Sequence, residues 1–406
     1  RITRLHAGTG RRRRHQGCQT PIGKRGGARG LGNCAAMLST RQSHASPNER
    51  ATGSLEAYRH HGQSSGRASF CVSNSNLGDN TLGLLVDACG RKIDYLRISV
   101  TDRCNLRCSY CMPEGHGDYE APAHWLSFEE LDRLAGIFVR LGIAKIRLTG
   151  GEPLLRGRLA ELAGRLRKHS GLQELSLTTN GTQLAKMAAR LKSAGIDRIN
   201  VSLDTLSRSR FHALTQRDVL DDVLAGLEVA RNCGLTPIKI NMVWLPDLNG
   251  DEIDAMIEYC MERGFVLRLI ERMPMGGGVP ISETGSLQSQ INLLRNRYGL
   301  VDHILPGGGP ARYLTTPSND FSIGFITPMS QHFCATCNRV RLTVDGTLHL
   351  CLGQEDQLEL RPILRGGASD AAVTEAIRAA LLRKPSRHEF GNAPRKLKRI
   401  MASMGG

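Results

Sequence analysis

The chain has 406 residues, 40% of them apolar and 4% aromatic, with 54 Lys and Arg against 38 Asp and Glu, a formal charge of +16. That length has room for two or three domains and a substantial core, and no run of 18 uninterrupted apolar residues occurs that could cross a bilayer as a helix. The charge suggests nucleic acid, but its distribution argues otherwise: residues 1–85 hold 13 Lys and Arg against 3 Asp and Glu, and the remaining 321 residues hold 41 against 35.

Residues 1–85 include Arg11–Arg14 and many Gly and Ser, and show neither a period of 2 nor one of 3.6. They read as a disordered basic leader, with Met37 a candidate initiator. Two other readings compete. An Arg- and Ser-rich, acid-poor stretch suits a mitochondrial transit segment, although no apolar stripe runs through it. A basic arm for nucleic acid or an anionic membrane is the third. An apolar h-region, which a secretory signal needs, is missing.

From about residue 91 short alternating stretches occur at Tyr95–Thr101, Lys145–Thr149, Glu174–Thr179, Arg198–Asp204, Pro237–Trp244 and Val266–Glu271. Helical patterns lie between them. Ser127 and Glu130 predict a capping box ahead of the stripe Phe128, Leu131, Leu134, Phe138 and Leu141. Asp218 is placed to cap a helix with Val219, Val223, Leu227 and Ala230 inward, and Asp251 one with Ile253, Met256, Ile257, Cys260 and Met261 on one face. Strand–helix alternation implies a parallel sheet with helices outside. The expected architecture is an α/β incomplete TIM-like (β/α)6 barrel over 86–275, followed by a C-terminal α+β extension over 276–406.

A parallel strand covered on both faces reads as a continuous apolar run. These strands alternate instead. With the apolar residues facing the helices, the interior carries Arg97, Lys145, Arg147, Lys239 and Arg268 with Thr178, Asn200, Ser202 and Asp204. An unpaired buried charge costs several kcal/mol. So many cations imply a wet lumen for an anionic ligand, unless the sheet simply turns a polar face to solvent.

Cys104, Cys108 and Cys111 follow the first strand with spacings of three and two residues. The βα loops there build active sites in such barrels. Three thiolates leave one iron of a 4Fe-4S cluster open to a substrate. Cys334, Cys337 and Cys351 form a second triplet. Alone it is ambiguous between a zinc site completed by His332 or His349 and a second three-cysteine cluster. Arg339 and Arg341 follow at alternate positions and would aim two guanidiniums to one side, a pairing suited to phosphate or carboxylate. The remaining cysteines, Cys18, Cys34, Cys71, Cys89, Cys233 and Cys260, show no ligand spacing. Because a cluster requires free thiolates and a reducing compartment, none of them is expected in a disulfide.

The run Arg103-Cys104-Asn105-Leu106-Arg107-Cys108-Ser109-Tyr110-Cys111-Met112-Pro113 resembles the signature of the radical S-adenosylmethionine (SAM) superfamily, and Gly150-Gly151-Glu152-Pro153 its SAM-binding turn. The second triplet, Leu177-Thr178-Thr179-Asn180-Gly181 and the terminal Gly405-Gly406 narrow the resemblance to the molybdenum cofactor biosynthesis protein A family, the GTP 3′,8-cyclases, over residues 87–406. Two departures stand out: the leader, and the Gly-rich segment Pro274–Ser286, which lacks the Trp of some relatives.

The resemblance implies two 4Fe-4S clusters, one on Cys104, Cys108 and Cys111 that cleaves SAM, the other on Cys334, Cys337 and Cys351, whose open iron binds the guanine. Tyr110, Gly151, Ser202 and Met273 match SAM contacts. Arg97, Arg147, Thr178, Lys239, Arg339 and Arg341 match GTP contacts, and Arg268 a further basic position. The 5′-deoxyadenosyl radical would take the ribose 3′ hydrogen of GTP, and the carbon radical would attack C8. The product is (8S)-3′,8-cyclo-7,8-dihydroguanosine 5′-triphosphate, on the way to molybdopterin. The Gly-Gly tail would reach into the active site. Implied partners are GTP, a flavodoxin- or ferredoxin-type electron donor and a downstream cyclic pyranopterin monophosphate synthase, without nucleic acid or membrane. A homodimer is compatible with this. The expected location is cytoplasmic, or the mitochondrial matrix if the leader is a transit peptide. Two alternatives remain, a radical SAM peptide-modifying enzyme and a zinc- or nucleic-acid-binding module carried by the leader.

Overall fold

The strands β1 (Tyr95–Ser99), β2 (Lys145–Thr149), β3 (Glu174–Thr179), β4 (Arg198–Ser202), β5 (Lys239–Trp244) and β6 (Val266–Glu271) fall inside the stretches the alternation marks. The computed structural model describes residues 83–112, 115–275, 287–305, 307–390 and 400–405. The expectations for the leader up to residue 82, for most of the Gly-rich segment and for Gly406 lie outside the described residues.

β1 to β6 pair in sequence order, all parallel. Parallel neighbours cannot be joined by a tight turn, so helices cross between them. The rest of the chain supplies β7 (Val301–His303), β8 (Arg312–Thr315), β9 (Ser322–Ile326), β10 (Arg339–Leu342), β11 (Thr347–His349) and β12 (Gln357–Glu359). β9 adds in parallel to β6 and β10 in parallel to β1, with β8–β7 and β11–β12 antiparallel beyond them. The result is one twelve-stranded sheet in the order β12-β11-β10-β1-β2-β3-β4-β5-β6-β9-β8-β7. The α+β extension therefore continues the sheet at both edges. Among the described residues β7 and β12 remain edge strands, and the barrel is incomplete as expected.

The helix Phe128–Arg140 starts as its sequence predicts: the Glu130 N–H donates to Ser127 Oγ at 3.1 Å and the Ser127 N–H to Glu130 Oε2 at 2.7 Å. Two other expected caps do not form. Asp218 accepts from both Arg208 Nε and Nη2 at 2.7 and 2.9 Å, and the helix Leu220–Asn232 begins after Val219 without a side-chain cap. Asp251 accepts from both terminal nitrogens of Arg210, and the helix Ile253–Arg263 likewise starts uncapped. A two-bonded guanidinium–carboxylate pair outcompetes a single bond to a backbone N–H. Met261 is exposed because the turn of the helix carries it to the margin of the face that Ile253, Met256, Ile257 and Cys260 bury.

The apolar strand residues Leu96, Ile98, Ile146, Leu148, Ile240 and Met242 are fully buried in the core that the helices cover. The opposite face carries a register row: Arg341 pairs with Arg97, Arg97 with Arg147, Arg147 with Ser176 and Ser176 with Arg198. Thr178, Asn200 and Lys239 form a second row. Cations on one face of four out of five adjacent strands would not persist in a dry core.

Candidate active site

The inward face encloses a cavity of about 340 Å³, and all six cysteines of the two triplets border it. The first triplet follows β1 at the C-terminal ends of the strands. Its loop is pinned by Arg107 N–H to Thr215 O at 2.9 Å and Ser109 N–H to Leu214 O at 3.1 Å. Asn180 Nδ2 donates to Asn105 Oδ1 at 2.9 Å and reaches Cys104 Sγ at 3.8 Å. Burial pushes the thiols of Cys104 and Cys108 up, Cys108 far up with Cys111 adding to it, and Cys111 to about 12. Crowded buried thiols give up their protons to a metal rather than to water, so the donor set fits an iron–sulfur cluster.

The turn after β2 is wedged against this loop. A Cβ on Gly150 (φ +153°) would lie 2.3 Å from Thr101 O, and one on Gly151 2.3 Å from Arg103 O. Gly151→Ala is expected to displace the cysteine loop. SAM affinity should fall at least about tenfold with GTP affinity kept, read by anaerobic equilibrium binding of both ligands.

Behind the turn Glu152 is fully buried. It accepts from the Leu154 N–H at 3.0 Å, the Asn180 N–H at 2.6 Å and the Thr179 hydroxyl at 2.7 Å, tying the ends of β2 and β3 together. Burial nevertheless raises its carboxyl to about 7. A carboxyl raised in the fold favours folding when protonated, and that contribution is lost as pH climbs from 4.5 through about 7. At 1.36 kcal/mol per unit the loss is on the order of 3 kcal/mol. Urea midpoints should therefore fall between about pH 5 and pH 8. Glu152→Ala should be less stable throughout, with a shallower pH slope.

Tyr110, Gly151, Ser202 and Met273, the expected SAM contacts, all border the cavity. The Tyr110 hydroxyl donates to Asp204 Oδ2 at 2.6 Å, and the Val243 N–H to Asp204 Oδ1 at 2.8 Å. Burial lifts Asp204 to about 6.

The second triplet lies at the other end of the strands. Cys334 and Cys337 flank a short turn just before β10, and Arg339 of that strand pairs with Tyr95, the first residue of β1. Burial pushes the Cys337 thiol up, but Lys384, Arg339 and Arg91 outweigh it and leave the group below its ordinary value. Burial raises Cys351. Lys384 is buried, and its ammonium donates to Arg339 O at 3.0 Å and to Leu350 O. A cationic surround suits an anionic thiolate cluster. His332 is engaged with Pro328 O at 3.0 Å and His388 Nε2 at 3.1 Å. Among the described residues no three His, Cys, Asp or Glu side chains gather tightly enough for a single metal ion.

Arg97, Arg147, Thr178, Lys239, Arg268, Arg339 and Arg341 all border the same cavity. Lys145 does not. It sits at the start of β2, where a Cβ on Gly308 would come within 2.6 Å of its Nζ. Burial and then mutual repulsion depress Arg97 well below the usual guanidinium range and bring Arg341 to about 10. Burial likewise brings Arg268 to about 10 and lowers Lys239, with neighbouring cations adding to it. Tyr95 Oη, Arg198 Nη1, Arg268 Nε and Arg339 Nε are buried without a hydrogen-bond partner among the described residues. A polyanion supplies what these groups lack.

Arg198, Tyr95 and Tyr313 also line the cavity and escaped the sequence reading. Arg198 and Tyr95 have the inward parity of Asn200 and Arg97, so extending the alternation by one step finds them. Tyr313 lies on β8, outside the parallel strands. Lys239 Nζ lies 3.0 Å from its hydroxyl.

The C-terminal tail enters the site. Gly405 O accepts from Arg97 Nη2 at 2.7 Å and Arg341 Nη1 at 3.1 Å, and Met404 is buried. One expectation is corrected: Cys89 is disulfide-bonded. It stands half-buried in an irregular turn outside the cavity lining. The six cysteines of the two triplets are not in disulfides.

A parallel strand–helix sheet with three cysteines after its first strand defines a radical SAM protein, and the Radical SAM superfamily model matches residues 98–260. The Molybdenum Cofactor Synthesis C model matches residues 265–390. Relatives named GTP 3′,8-cyclase include those of Agrobacterium fabrum (47% identical, over 75% of this chain and 88% of the relative), Caulobacter vibrioides (47%, 79% and 94%) and Ectopseudomonas mendocina (44%, 79% and 98%). The chain belongs to the GTP 3′,8-cyclase family. A crystal structure of Streptococcus suis SuiB bound to S-adenosylmethionine aligns with a TM-score of 0.49 at 14% identity, over 71% of this chain and 68% of that one.

Proposed function

We infer that the protein is a radical SAM GTP 3′,8-cyclase that converts GTP to (8S)-3′,8-cyclo-7,8-dihydroguanosine 5′-triphosphate in molybdenum cofactor biosynthesis. One observation carries the reading: both cysteine triplets open onto a single cavity whose wall between them is lined with arginine and lysine. Cys104, Cys108 and Cys111 would hold the cluster that supplies the electron for cleaving SAM to methionine and a 5′-deoxyadenosyl radical. Tyr110, Gly151, Ser202 and Met273 orient SAM. Cys334, Cys337 and Cys351 present the nucleoside end of GTP. Arg97, Arg147, Thr178, Lys239, Arg268, Arg339 and Arg341 hold it in place, so that the ribose faces the SAM end. Fixing both reactants in one enclosure makes the hydrogen transfer effectively unimolecular and keeps water from the radical.

The curated relatives and the cation-lined enclosure favour this reading over a peptide-modifying enzyme. The family matches at 98–260 and 265–390 support dividing 86–275 from 276–406. Family membership supports a flavodoxin- or ferredoxin-type reductant, a cyclic pyranopterin monophosphate synthase as the next enzyme, and a homodimer. No helix among the described residues is long and apolar enough to cross a membrane. The test is anaerobic reconstitution with iron and sulfide, reduction, and addition of SAM and GTP. Formation of 5′-deoxyadenosine and the cyclised nucleotide is expected, and absence of SAM cleavage overturns the reading.

A further inference from the structure

Arg198 opens β4 and borders the cavity, yet no motif singles it out. It is 8% exposed and ends the register row that runs Arg341, Arg97, Arg147, Ser176, Arg198 across five adjacent strands. The other three guanidiniums of that row belong to the proposed GTP site. Its Nη2 donates to Glu174 Oε1 at 2.7 Å, and the same oxygen lies 3.9 Å from Arg147 Nη2. One carboxylate is thus shared by two guanidiniums, and Arg198 Nη1 is buried with no hydrogen-bond partner among the described residues. The Lys239 ammonium and the Arg268 guanidinium both feel the charge of Arg198. Gly307 covers this corner. A Cβ there would sit 3.4 Å from Arg198 Nη2 and 4.0 Å from Lys239 Nζ.

A fixed fork with a spare N–H, among more cations than carboxylates, is a site for a multiply charged oxyanion. We propose that Arg198, its guanidinium held by Glu174, is a substrate-binding residue that grips the terminal phosphate of the nucleoside triphosphate, so that this corner distinguishes three phosphates from two. The proposal rests on reading the cavity as the GTP site. With the nucleoside end against the second triplet beside β10, the triphosphate points along the row toward β4, four strands away.

Anaerobic equilibrium binding of GTP, GDP and GMP to the reconstituted wild type, Arg198→Met and Arg198→Lys tests it. The wild type should prefer GTP over GDP by about tenfold or more, the strength of one charge-assisted contact. In Arg198→Met that preference should collapse toward unity through loss of GTP affinity, with GDP affinity changed by less than about threefold. Arg198→Lys, which keeps the charge but loses the fork, should fall between and serves alone if Arg198→Met loses its clusters. A GTP preference unchanged in both variants overturns the proposal, as does a wild type that binds GTP and GDP equally. A wild type that binds no guanine nucleotide fails the GTP reading itself.

Discussion

Cys334→Ala is expected to retain cleavage of SAM and to lose cyclisation of GTP. The two triplets share a cavity but stand at opposite ends of the strands, the first after β1 and the second before β10 and after β11. Removing one of three thiolates at the second leaves two, too few to retain a cluster, while the first keeps its complement. Iron and sulfide should drop to about half the wild-type content. GTP affinity should fall by at least about tenfold, as expected for losing a metal-bound contact. Turnover to the cyclised nucleotide should disappear, with uncoupled 5′-deoxyadenosine still formed. Cys104→Ala gives the mirror image: GTP binding persists and 5′-deoxyadenosine is not formed. A Cys334→Ala protein that keeps two clusters and normal turnover would show that the second triplet is misassigned.

Gly405→Ala should lower kcat/KM for GTP by about a hundredfold without changing cluster content. Gly405 has φ +73°, and a Cβ there would fall 2.4 Å from Thr149 Cγ2 and 3.6 Å from Ser99 Cβ. Both neighbours belong to barrel strands, so the tail must give way. Its departure removes the oxygen that Arg97 and Arg341 share. Two charge-assisted bonds at about 1.5–3 kcal/mol each more than cover the roughly 2.7 kcal/mol that a hundredfold represents. Iron content and SAM affinity report on the cluster at the first triplet and should stay at wild-type values. Unaltered kinetics would show that the tail is only a frayed terminus.

The barrel was legible because a polar interior forces strict alternation, and alternation locates strands to within a residue or two. Leu96, Ile98 and Val100 against Arg97 and Ser99 show it directly. The cysteine triplets were legible as spacings, but their joint opening onto one cavity was not, because it depends on β10 pairing beside β1, a contact across about 240 residues of sequence that sets the two loops at the two ends of one enclosure. Asp218 and Asp251 misled because a cap depends on what else reaches the carboxylate, and Arg208 and Arg210 lie on a different helix. Lys145 shared the parity of Arg147 but sits where the cavity wall has already ended. Parity gives the face of a strand; depth along the barrel comes from register, which depends on the neighbouring strands.

Among the described residues the sheet leaves β7 and β12 unpaired with each other, and Asn338, which precedes β10, donates to Gly308 O at 3.3 Å between β7 and β8. A closed barrel has a bore fixed by strand number and stagger, because widening it breaks a ladder of backbone bonds. Here the circumference is interrupted, and that side-chain bond is a long one. Admitting a nucleotide and releasing a rigid cyclised product can therefore be accommodated by parting the two margins, with every bonded strand pair and both cysteine loops left in place.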